Sequence, residues 1–99
     1  MISAIVLINV VQGRVPDVAQ ALIALAGITE VYSVAGPQDL VAIVRVQHHE
    51  ELEDLVAGRI QGISGIESTN TLIAFRAYSR RELEATWDIG NEELSEGIK

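Results

Sequence analysis

Cysteine is absent from the chain, which excludes disulfide cross-links and thiolate metal sites. Aromatic residues are scarce, at 4%, so few side chains are available to line a reaction chamber. Cations are scarce too: seven Lys and Arg stand against fourteen Asp and Glu, for a formal net charge of −7. That balance repels phosphate backbones. No basic stripe with interleaved aromatics interrupts it, so direct binding to nucleic acid is not expected. There is no glycine-rich phosphate loop, no zinc spacing and no Ser, His and Asp cluster in the sequence. No cofactor, metal or catalytic residue is therefore expected. The apolar start, Met1 to Val11, is too short to span a bilayer. It lacks the basic flank and small-residue cleavage pattern of a signal peptide, so it reads as a buried first strand of a cytoplasmic protein.

What the chain does have is enough apolar material for one domain. It is 99 residues long and 48% hydrophobic, and a domain of this size buries roughly two-thirds of its unfolded surface. Ser3 to Val11 is rich in Ile and Val and reads as a strand. Pro16 and Asp17 suit the first turn of a helix, and Val18, Leu22 and Leu25 follow at helical spacing up to Gly27. Ile28 to Ala35 reads as a second strand, Gly36-Pro37-Gln38 as a turn, and Asp39 opens a third strand through Val46. His48 to Gln61 reads as a second helix, with Leu52, Leu55, Val56, Arg59 and Ile60 on one face. Gly62 and Gly65 end it, and Ile66 to Tyr78 reads as a long fourth strand. The order βαββαβ predicts an α+β, ferredoxin-like domain over residues 1–78. Ser79-Arg80-Arg81-Glu82 then fits a capping box. Leu83 and Trp87 lie four apart, which predicts a short C-terminal helix and tail over residues 79–99.

Strands one and three are apolar on both faces: Ile5, Val6, Leu7 and Ile8 in one, Leu40 to Val44 in the other. Two helices cover only one face of a four-stranded sheet, and large exposed apolar patches are rare on monomers. A second copy is the economical cover. The expectation is a homodimer with sheets face to face, a dimeric α/β barrel.

The order and spacing of Gly27-Ile28, Gly36-Pro37-Gln38-Asp39, Gly65-Ile66 and Thr69-Asn70-Thr71 resemble the Lrp/AsnC effector-binding domain, also called the RAM domain. The likeness covers about residues 3 to 76. The helix-turn-helix half of such regulators has no counterpart here, so the chain looks like a stand-alone RAM-type protein that does not bind DNA itself. The resemblance implies a small effector, commonly an amino acid, bound between dimers. It also implies assembly up to tetramers or octamers, and a role in transcription regulation through co-assembly with full-length relatives. It places the ligand site at Gly36, Gln38 and Asp39 with Glu67, Ser68 and Thr69.

The chemistry suits an amino acid. Asp39 can accept from an ammonium group, the turn's N–H groups can hold a carboxylate, and a Ser or Thr hydroxyl can serve either. A plainer reading stands beside it: Asp39 bonds its own loop backbone, Gly36 permits positive φ, and Thr69 and Thr71 fill a strand. His48 and His49 are adjacent, not four apart, and read as a solvated helix start rather than a metal pair. Arg76 and Tyr78 could meet an anion, or Arg76 could lay its stem on the core. The alternative function is a small cofactor-free monooxygenase or isomerase of the dimeric α/β-barrel type. It would require a polar or aromatic chamber between sheet and helices.

Overall fold

The structure, a computed structural model, describes residues 1–78 and Arg80. The helix and tail expected from Ser79 onward, and the boundary between residues 78 and 79, lie outside the described residues. Four strands, β1 (Ile2–Val10), β2 (Ile28–Ser33), β3 (Leu40–Val46) and β4 (Ile66–Ala74), form one antiparallel sheet in the order β2-β3-β1-β4. Helix α1 (Val15–Ile23) links β1 to β2, and a second helix, α2 (His49–Glu53, continued over Asp54–Ile60), links β3 to β4. This is the ferredoxin-like α+β arrangement. Among the described residues no helix is long and apolar enough to cross a membrane.

Alternation along the central strands sorts the core. Ala4, Val6, Ile8 and Val10 of β1 and Leu40, Ala42, Val44 and Val46 of β3 are buried beneath the helices. Val18 and Leu22 of α1, four residues apart, close over them without exposure. Burying each such side chain contributes about 1.5–3 kcal/mol. The space between sheet and helices, where an enzyme of the alternative kind would hold substrate, is filled with aliphatic groups.

Helix α2 departs from the expected periodicity. It starts as an α-helix over His49–Glu53 and continues as a π-helix over Asp54–Ile60. Leu52, Leu55 and Ile60 are buried, whereas Arg59, expected on the same face, is exposed. Leu55 and Ile60 are five residues apart, a separation that would leave them about 140° apart on an α-helix. The i to i+5 repeat of a π turn returns both to the sheet. At its start, Glu51 turns back to accept from the N–H groups of Gln47 and His48, at 2.9 and 2.8 Å.

β4 ends at Ala74, four residues before the expected Tyr78. Ala74 pairs with Ser3, almost at the start of β1, so further residues have no partner strand. Beyond it, the Arg76 guanidinium lies over the Tyr78 ring, 5.4 Å from its centre.

Candidate functional site

The loop between β2 and β3 is held against the far end of β1. Its Gly36 has φ +144° with open space around a would-be Cβ, so conformation alone calls for glycine there. The Val34 N–H donates to the Asp39 carbonyl at 3.0 Å and closes the loop. The Asp39 N–H donates to the Ile8 carbonyl at 3.0 Å, extending the β1–β3 ladder by one bond. Two residues further along β1, the Asp39 Oδ2 accepts from the Val10 N–H at 2.8 Å. A side-chain carboxylate thus replaces a strand carbonyl at the point where β1 shifts register against β4. The plainer reading of Asp39, a carboxylate bonded to its own loop backbone, is corrected: the carboxylate binds the backbone of β1, because the loop is folded against the end of that strand. The bond uses Oδ2; among the described residues Oδ1 carries no hydrogen bond.

Asn9 was not singled out from the sequence, and it joins the loop to β4. Its Nδ2 donates to the Pro37 carbonyl at 3.1 Å. Asn9 also pairs across the strands with Ser68. Asn9 alternates with Ile8 and Val10, both buried under the helices, so Asn9, Ser68 and the loop gather on the face that the described residues leave uncovered. Two of the expected residues fall elsewhere. Thr69 pairs with Ile8 on the helix side, where its Oγ1 accepts from the Gln61 amide at 2.9 Å. Glu67 is exposed at the register shift and has no strand partner. Gln38 is half-buried in the loop beside Asp39.

The uncovered face beside this cluster is apolar. Ile5 and Leu7 of β1 lie between Ile43 and Val41 of β3 on one side and Leu72 and Asn70 of β4 on the other. Ile5 is 36% exposed and Leu72 46%. On the edge strand β2, Tyr32 and Glu30 pair with Val41 and Ile43 and so complete these rows. The Glu30 carboxylate takes a hydrogen bond from the Tyr32 phenol and sets a negative charge beside it, which raises the tyrosine pKa above its ordinary value of 10.0. The polar cluster therefore borders an apolar surface at its Asn9 end. Neither main cavity touches the loop. One, of about 310 Å³, lies at the opposite end of the sheet beside Gly27, Gln47 and Arg59, and the other lies between α2 and β4. A single protomer offers the cluster as an open shelf.

Comparison with known proteins bears on this arrangement. The family model described as the Lrp/AsnC ligand binding domain matches residues 3–83. The HTH-type transcriptional regulator FL11 of Pyrococcus furiosus is 34% identical over 77 residues, which are 78% of this chain and 50% of that protein. The chain thus spans about half the length of the curated relatives it matches. Among solved structures, TTHA0845 from Thermus thermophilus is 50% identical, with a TM-score of 0.76 over 81% of this chain and 100% of that one. A feast or famine regulatory protein from M. tuberculosis, complexed with L-methionine, is 32% identical with a TM-score of 0.67, over 82% of this chain and 55% of that one.

Proposed function

The chain belongs to the Lrp/AsnC ligand-binding domain family, and on that footing we propose that it is an effector-sensing module in which a small amino acid binds between copies of the chain. The observation that carries the reading is the shelf formed by Asn9, Ser68 and the Gly36–Asp39 loop at the margin of the apolar sheet face. A second copy packed on that face would roof the shelf and remove its ligand from water. Asp39 Oδ1 would accept from the effector's ammonium group, Ser68 and Gln38 would serve its carboxylate, and Asn9 would hold the loop in place. Thr69 lies on the helix side of the sheet and takes no part in the shelf, and Glu67 stands exposed beside it at the register shift.

Relatives named as transcriptional regulators and a relative bound to L-methionine support a regulatory role and an amino-acid effector. The effector would regulate by binding one assembly state more tightly than another, because only differential affinity shifts an equilibrium. Co-assembly with full-length regulators would then carry the signal to DNA. The enzyme alternative has no observation in its favour, since the interior it needs is packed with aliphatic side chains.

The test is thermal unfolding of the full chain at fixed protein concentration against a panel of the proteinogenic amino acids. Ligand at a hundred times Kd stabilises by about 2.7 kcal/mol. Each kcal/mol moves the midpoint by roughly 4–8 °C in a domain of this size. A shift for one or a few amino acids, abolished by Ser68→Ala with Gln38→Ala, is expected. Flat curves across the panel would remove amino-acid sensing.

A further inference from the structure

The described residues leave a second surface uncovered, on the helix side of the sheet and apart from the face just discussed. Between α2 and the edge strand β4 runs an open groove of about 420 Å³. Its walls are mostly apolar, with Leu52, Val56 and Ala57 from the helix and Ile73 beside Thr71 from the strand, and His49 stands at the helix start. Ile73 lies opposite Ala4, which the helices bury completely, yet Ile73 itself is 50% exposed. The helix covers the centre of the sheet and stops short of its edge. The rim on the helix side is acidic, with Glu50 and Glu53 both exposed.

We propose that this groove is the docking site of the chain's own C-terminal segment. Leu83 and Trp87 seat against Val56 and Ile73, and Arg80 and Arg81 face Glu50 and Glu53. Three observations select this occupant. The first is charge. The chain carries −7 overall, and Arg80-Arg81 is its only pair of adjacent basic residues. The charges in the rest of the segment are mostly acidic, so it is this pair at its start, and not its net charge, that complements the rim. The second is pattern: directly after that pair, Leu83 and Trp87 stand at the spacing that puts two side chains on one face of a helix. An apolar groove with an acidic lip and an apolar pair preceded by two cations are complementary in the same order. The third is reach. β4 ends at Ala74, one residue past Ile73 in the groove wall and at the end of the sheet where α2 begins. The ten positions from Ile73 to Leu83 span up to about 35 Å when extended, ample for the chain to turn back over the helix.

Trp87 is the only tryptophan, so its fluorescence reads the docking directly in the full chain. The expected result is blue-shifted emission with weak acrylamide quenching, both independent of protein concentration. Ile73→Asp and Ala57→Asp alter exposed groove positions and should leave the fold intact by circular dichroism. Each should red-shift the emission and raise quenching several-fold. The double reversal Glu50→Lys with Glu53→Lys should do the same, and adding Arg80→Glu with Arg81→Glu should restore the original spectrum. Leu7→Asp, on the opposite face of the sheet, should leave Trp87 unchanged. Emission of a fully exposed indole in the unaltered chain would overturn the proposal. So would a spectrum that ignores the groove variants, or one that responds to Leu7→Asp or to dilution, which would place Trp87 on the open face or on a second copy.

Discussion

The two faces of the sheet are built from the same residue types and meet different fates. On β1, Ile8 is completely buried beneath the helices, while Ile5, three residues earlier and on the opposite face, is 36% exposed. β3 repeats the contrast, with Val44 buried and Ile43 half-exposed. Apolar content does not separate a core from an interface, because both are apolar surfaces that water disfavours. What separates them is whether the same chain supplies the cover. One substitution on each face puts this contrast under the greatest load. Ile8→Ala should cost about 2–5 kcal/mol by chemical denaturation at any protein concentration. Ile5→Ala should cost far less in dilute solution and show its effect in association: if copies pair through this face, they should separate at higher concentration in sedimentation. If Ile5→Ala is neutral to association as well, the open face is not an interface and the shelf beside it has no roof.

A second comparison, smaller in energy, lies within one side chain. Asp39 serves β1 through Oδ2, and among the described residues its Oδ1 carries no bond. Asp39→Ala removes both and leaves the Val10 N–H without its acceptor, a loss of about 1–3 kcal/mol. Asp39→Asn keeps an oxygen for that N–H and should fold with most of this stability retained, while losing the charge that would meet an ammonium group. Denaturation of the two variants, each with and without effector, separates the strut from the site. If Asn is as destabilising as Ala, the bond to Val10 requires the charge, and the two roles of Asp39 cannot be divided.

Much of this was legible in the residues. The glycine stops, the helical spacing of Val18 and Leu22, and the two-sided strands led to the element order, the sheet and its bare face. Gly36, Gln38 and Asp39 were legible as a turn because turn chemistry is written locally, whereas their place in a candidate site came only from the family resemblance. Asn9 was missed because its role comes from the register of β1 against β4 and from a loop 28 residues away, neither of which a single strand records. Thr69 was named from the resemblance and Ser68 was set beside it, but neighbours on a strand point to opposite faces. The π turn was invisible for a related reason. Leu52, Leu55 and Val56 fit an α-helical face, and only the need to bury both Leu55 and Ile60 shows that the helix is unwound.

The smallest effect concerns Tyr32, at the edge of the open face, and it reports on that face without perturbing it. The bond to Glu30 and the charge beside it hold the phenol protonated, so its pKa lies above the ordinary 10.0. The raised value means that the folded state keeps this proton more tightly than the unfolded chain. The contribution to stability is therefore full below the ordinary tyrosine pKa and is lost as pH rises through the folded value. Glu30→Gln removes the charge and should bring the ultraviolet titration of Tyr32 back towards that of a free tyrosine. Covering the face should act in the opposite direction, because desolvation further disfavours the phenolate. The titration of Tyr32 should then move up as protein concentration rises and fall back in Leu7→Asp. A Tyr32 titration that is independent of concentration would mean that the β2 edge stays wet in the assembly, confining any contact between copies to the central strands β1 and β3 and to β4.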